Sequence, residues 1–292
     1  MNLTFEPVSL EKQQVYRQML SRCSRIASDY SFVNLWGWGP EYGLQWAWDE
    51  NLVWIRQQRP CPALWAPVGD WREIDRENTI RTASALSDRM IRVPEELAEI
   101  IGNASGGKFE TTESREHWDY LYQAGELAEL KGNRYHKKKN LVNRFANTYS
   151  FKYLGLDDAV VEKALEMQQD WCLWRDCESN ETLAAENRAI ARVLGEWRNL
   201  GGIKGGALVV DDVMVAYTIA ETMPDKTLVI HFEKADQNYQ GGYQAINQQF
   251  LIHSGKGHTL VNREQDLGNE GLRKAKLSYH PVDFIKKYQI TW

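Results

Sequence analysis

The stretch "GGALVVDDVMVAYTIAETMPDKTLVIHFEKADQNYQGGYQAINQQF", Gly205–Phe250, decides how this chain folds. Gly205–Thr222 carries two alternating apolar runs around Asp211-Asp212, the composition of a strand, a tight turn and a second strand. "TLVIHFE", Thr227–Glu233, is a third strand, and "YQAINQQFLIHSG", Tyr243–Gly255, is a helix. Beyond it "HTLVNRE", His258–Glu264, reads as a strand, "NEGLRKAKLSY", Asn269–Tyr279, as a helix, and the end of the chain near "FIKKYQITW" as a last strand. Hairpin, strand, helix, strand, helix, strand is the order of an α+β domain with a mixed sheet.

Toward the N terminus, "DDAVVEKALEMQQDWCLW" and "ETLAAENRAIARVLGEWRNLG" are amphipathic helices that follow an opening "FKYLG". The first half begins with a helix in "SLEKQQVYRQMLSRC" and continues into "GLQWAWDENLVWIRQ", where Asp49, Glu50 and Asn51 separate two alternating runs as a hairpin would. Seven of the twelve tryptophans lie between Trp36 and Trp71, either as a core of bulky residues or as an aromatic groove for a sugar or base. "RMIRVPEELAEIIGNA" reads as strand then helix, "HWDYLYQ" as a buried strand, and "AGELAELKG" and "HKKKNLVNRFANTY" as helices. With 292 residues and no low-complexity linker, the expectation is two closely packed domains, 1–150 and 151–292, with the active cleft in the second.

Composition sets limits on function. Hydrophobic residues at 43% and charged residues at 26% are those of a globular protein able to bury a full core. A net charge of −5 argues against general nucleic-acid coating but permits a local basic patch. "MNLTFEPVSLEKQQ" does not read as a signal peptide and no apolar run approaches the roughly 20 residues of a membrane span, so the expected location is cytoplasmic. Cys23, Cys61, Cys172 and Cys177 are too few and scattered for a disulfide framework; they are expected as free buried thiols, with no metal site. "SGKGHT" lacks the first glycine of a P-loop, and neither a paired-histidine zinc motif nor a nucleophile elbow is present.

The element order of the second half resembles that of GNAT-type acyltransferases (acyl-CoA N-acyltransferases), whose mixed sheet splays between two central strands to admit an acyl donor. More specifically, "FVNLWGWGPEYGLQWAW", "WDYLYQAGELAELKGNRYHKKKNLVNRF", "YQAINQQF" and "LVNREQDLGNEGLRKAKLSYHP" resemble the bacterial family related to the C-terminal domain of phosphatidylglycerol lysyltransferase. The resemblance implies two tandem GNAT-like domains with splayed, helix-flanked sheets, similar to the Fem-type peptidyltransferases. It implies an acyl or aminoacyl group moved from an activated carrier to an amine or hydroxyl, with aminoacyl-tRNA as the leading donor and acyl-CoA the next. No tightly bound cofactor is expected; tRNA and a phospholipid or small-molecule acceptor are the implied partners. A non-catalytic protein of the same fold, holding nucleic acid or lipid head groups, is the alternative.

Acyl transfer to an amine needs a base, a held donor carbonyl and a proton for the leaving group. Strict alternation in Thr227–Glu233 puts His231 and Glu233 on one side, opposite Ile230 and Phe232, making Glu233 the candidate base and His231 the runner-up. Tyr279 sits near where many GNAT enzymes carry a proton-donating tyrosine. In the strand before it, Leu260, Asn262 and Glu264 face one way and Val261 and Arg263 the other, so Asn262, Arg263 and Glu264 are offered to substrate. Asp266 and Glu270 are expected to cap and complement the following helix, whose Arg273 and Lys276 are further candidates for the donor. "NYQGGYQAIN" is a degenerate form of the glycine-rich pyrophosphate turn: Gly241 and Gly242 permit it, whereas Tyr243 is large. Between Lys131 and Arg144 there are six Lys or Arg residues and no acid, including Arg134, Lys137, Lys138 and Arg144. On a helix Lys137, Asn140, Arg144 and Asn147 share a face with Val142, Phe145 and Tyr149 behind, either a solvated surface or a phosphate-binding one.

Overall fold

Asp211 and Asp212 both take positive φ, 49° and 64°, in the computed structural model, which describes residues 3–105 and 109–292. The type I′ geometry this implies matches the twist of the strands Ile203–Val210 and Val213–Thr222 that they join. In the other expected hairpin, the Asp49 carboxylate accepts from the main-chain N–H groups of Asn51 (2.9 Å) and Leu52 (2.7 Å) and from the Trp54 indole (2.8 Å). A short acidic side chain thus organises the turn and anchors a core tryptophan.

Contacts divide the chain into two compact units, one of Met1–Tyr120, Glu264–Arg273 and Phe284–Trp292, the other of Leu121–Arg263 and Lys274–Asp283. The break falls after Tyr120 rather than at residue 150, and the final strand belongs to the first unit. The first unit's sheet runs Glu6–Pro7, Gln45–Trp48, Leu52–Gln57, Ala63–Trp65, Arg89–Pro94, Lys287–Thr291, Glu110–Glu113. Its core is aromatic: Trp46 is fully buried, 5.5 Å from the Tyr16 ring and 5.2 Å from that of Trp48. Trp54, Trp65 and Trp71 are buried too, so most of this tryptophan cluster is core.

The C-terminal strand is held in that unit by charge as well as by its ladder. Lys287 is fully buried and donates to Asp119 (2.6 Å) and to Asp29, which is also paired with Arg92. Asp119 further accepts from Ser28 (2.7 and 2.9 Å) and Gln265 (3.0 Å). Burial opposes ionisation of Asp29, but Lys287 and Arg92 overcome it and hold the carboxyl below its usual range.

The second unit's sheet has the order Asp283–Ile285, Asp119–Gln123, Leu260–Asn262, Leu228–Ala235, Val213–Thr222, Ile203–Val210, Phe151–Gly155. The helix Gly242–Ser254 covers one face, where Asn247 meets Glu233. Asp158–Trp174 and Glu181–Gly195 cover the other, where Gln168 meets Tyr217 and Glu186 meets Lys234. A Cys172–Cys177 disulfide ties the end of the first of these helices to the 3₁₀ turn Cys177–Ser179 that leads to the second, which corrects the expectation of free thiols at these two positions. Helical spacing alone would leave the two apart, but the helix ends at Trp174 and Asp176 turns at φ 51°, bringing the Cα atoms to 5.1 Å. Cys23 and Cys61 are free; Cys61 is exposed rather than buried.

Candidate functional site

The strands Leu228–Ala235 and Leu260–Asn262 pair in parallel through only two positions, Leu228↔Val261 and Val229↔Asn262. Past Val229 they part. The cause lies in the neighbouring ladder: Ile219 pairs with Phe232 but Ala220 pairs with Ile230, so His231 is the extra residue of a bulge. A bulge bends its strand and deepens its twist, which swings Phe232–Ala235 away from Arg263 and opens a fork in the sheet.

That bulge also reverses the expected facing of two candidates. Glu233 pairs with Thr218 and Ile230 with Ala220, so those two share the face of the helix Gly242–Ser254. His231 instead lies within 3.5 Å of Glu221, whose strand partner is Val229, on the opposite face. Glu233 and His231 therefore do not form one acid–base set. Alternation failed here because it assumes a residue in every register position.

Glu233 stands in the fork with only 11% of its side chain exposed. Its Oε1 accepts from Arg263 Nη2 at 2.9 Å and its Oε2 from Asn247 Nδ2 at 2.9 Å. Arg263, the first residue past the paired strand, lies 4.7 Å from the Tyr279 ring centre and 5.9 Å from that of Tyr122. Its Nη1 is buried without a well-formed hydrogen bond. Burial disfavours the guanidinium charge, but Glu233 outweighs it and raises the pKa further. The Tyr279 phenol is buried, with Arg263 and Gln244 in reach of its hydroxyl; burial raises its pKa although Arg263 opposes the shift. Lys138 Nζ also sits over that ring, 4.1 Å from its centre, and burial followed by the Arg263 charge lowers its pKa. Asn247, Gln244 and Tyr122 were not among the sequence candidates. The signal was available for two of them, since Gln244 and Asn247 are three apart on one helix face.

The remaining candidates are placed as follows. Lys276 donates to the main-chain carbonyl of Arg263, fixing the strand end. Asn262 is fully buried in the sheet. Glu264 takes φ 55° and accepts from Asn34 at 2.8 Å within the first unit. Arg273 is engaged by buried Asp266 through two bonds of 2.8 Å, with Arg115 at 3.2 Å, and is committed to structure. Asp266 caps the turn at Gly268, while Asn269 rather than Asp266 caps the helix by accepting from Leu272.

Gly241 has φ 92°, and a Cβ there would lie 2.4 Å from the Leu141 carbonyl. The glycine pair thus answers to packing of the basic helix His136–Thr148, and Tyr243 packs against the core around Phe145, Ala235 and Ile246, where burial raises the pKa of its phenol. On the basic helix Lys137, Asn140, Arg144 and Asn147 are exposed while Val142 and Phe145 are buried. Arg134 pairs with Glu126. Among the described residues no cluster of His, Cys, Asp or Glu could hold a metal, and no helix is long and apolar enough to cross a membrane.

A bulged central strand, a fork after two parallel pairs and helices on both faces define a GNAT-type domain, and the whole chain has the fold of a tandem GNAT protein and of FemX (TM-scores 0.52 and 0.61, at 10% and 8% identity). The model for the C-terminal region of phosphatidylglycerol lysyltransferase matches residues 21–291, and the chain belongs to that family. It superposes on a protein of unknown function from Bacteroides thetaiotaomicron with a TM-score of 0.92 at 30% identity, over 99% of both chains. The L-PGS structure from Bacillus licheniformis gives 0.66 at 11% identity, over 98% of this chain and 92% of that one. An uncharacterised protein of Mycoplasmoides gallisepticum is 25% identical over 178 residues, 59% of this chain. The match spans about half the length of that curated relative (55%).

Proposed function

We propose that the chain is an aminoacyltransferase that moves an aminoacyl group from aminoacyl-tRNA to an amine or hydroxyl acceptor, with Glu233 as base and Tyr279 as acid. The observation that carries this reading is the fork itself, with a carboxylate on one arm and a protonated phenol beside the other. In the reaction the acceptor N–H or O–H proton passes to Glu233 as its heteroatom bonds to the acyl carbon. The ester C–O bond then breaks, and the ribose oxygen takes the Tyr279 proton. Exchange with solvent returns both residues to their starting forms. A phenol whose pKa is raised by burial stays protonated at neutral pH, as an acid must.

Two features favour tRNA over acyl-CoA as donor. The space a glycine-rich pyrophosphate turn would need at Gly241 is taken by Leu141, and the exposed cations of His136–Thr148 suit a phosphate backbone. The family and the L-PGS likeness support a lysyl group and a phospholipid acceptor as the first pair to assay. Glu233→Gln and Tyr279→Phe should each lower kcat by about 10²–10⁴-fold without weakening tRNA binding. Undiminished turnover in both variants would remove this site. A second reading, a binding protein that retains the fold, is favoured by the closed Arg263–Glu233 pair; binding without turnover for every donor tried would establish it.

A further inference from the structure

The fork holds two cations, Arg263 and Lys138, against one carboxylate, Glu233. Lys276 donates to the main-chain carbonyl of Arg263. Arg263 is only 15% exposed, and its Nη1 has no well-formed hydrogen bond, a group that in a folded protein calls for a partner. An uncompensated positive charge in a covered site is costly, and an incoming anion relieves it. At the same time Glu233 is occupied: Oε1 already accepts from Arg263 and Oε2 from Asn247, so an acceptor N–H or O–H must displace one of them to reach the carboxylate.

We propose that Arg263 is a substrate-operated latch: a phosphodiester group of the incoming substrate takes the guanidinium, with Lys138, and draws it off Glu233, freeing the base only when substrate is seated. A guanidinium has the planar fork that binds either a carboxylate or a phosphate in two-point fashion, so the exchange keeps its hydrogen bonds while moving them. The exposed Lys137 and Arg144 on the same helix as Lys138 extend the positive field outward from the latch. The latch rests on the proposed role of Glu233 as base, but phosphate capture is measured without turnover, so the two fail separately.

The test is equilibrium dialysis of the full chain against radiolabelled inorganic phosphate, with thermal unfolding to confirm that each variant is folded. Glu233→Gln removes the competing anion and should bind phosphate at least fivefold more tightly than the unaltered protein. Arg263→Ala should lose saturable binding, and Lys138→Gln should weaken it about threefold. A short oligoribonucleotide and glycerophosphoglycerol, added as competitors, distinguish an RNA phosphodiester from a lipid head group; displacement by either is consistent with the latch. Equal or weaker phosphate binding in Glu233→Gln overturns it, as does the lack of saturable binding in both that variant and the parent protein.

Discussion

Asp266 shows how a single carboxylate can be mistaken for a simple cap. It is buried, it binds Arg273 through both oxygens, and it also takes the Gly268 N–H at 2.9 Å. Burial alone would raise its pKa, but the bonds from Arg273, Tyr120 and Gly268 hold it well below the usual range. A carboxyl depressed in the folded state stabilises above the unfolded pKa of about 3.9, and that contribution fades as pH falls through the folded value. Asp266→Asn should therefore cost about 3 kcal/mol at neutral pH, with the gap to the parent narrowing below about pH 4 in denaturant titrations. A gap that stays constant down to pH 2 would show that the ion pair is not its source. Asp266 was legible in sequence as a helper of the following helix, but its partners Arg115 and Tyr120 lie about 150 positions away and no local pattern points to them.

The basic helix His136–Thr148 is the element whose reading survived most fully, because amphipathic spacing is a local property: polar positions are out and Val142 and Phe145 are in. Lys138 departs from it, turned inward over Tyr279. If the exposed face tracks RNA phosphates, Lys137→Gln and Arg144→Gln should each lower the slope of log K against log salt by about 1 in tRNA binding. An unchanged slope would assign the face to solvent. The packed side makes a separate demand at Gly241: Gly241→Ala forces a Cβ toward the Leu141 carbonyl at φ 92° and should destabilise the protein by about 2 kcal/mol in chemical denaturation. Wild-type stability in that variant would mean the two helices can part freely.

The two sheets are not made from two consecutive halves. Lys287–Thr291 lies between Arg89–Pro94 and Glu110–Glu113, and Asp119–Gln123 pairs with Leu260–Asn262. A chain cut at residue 150 should consequently yield no folded half. Fragment 1–150 lacks the strand that joins two of its own, along with the Lys287 charge that Asp29 and Asp119 require. Fragment 151–292 lacks both Asp119–Gln123 and the helix behind Gly241. Circular dichroism and amide dispersion should show each fragment unfolded; a dispersed spectrum from 1–150 would refute the interlocked description.

The order of strands and helices, the hairpin turns, the one-sided basic helix and Glu233 as the carboxylate of the central strand were all determined by the chain's local chemistry. Each depends on periodicity or on turn residues close in sequence. Only the folded molecule decided that His231 faces away from Glu233, that Arg263 closes on that carboxylate, that Cys172 and Cys177 join, and that the last strand completes the first sheet. A bulge shifts register by one residue without altering composition, and pairings between distant segments are selected by which surfaces fit and which buried charges find partners. Neither quantity is written in any short window of sequence.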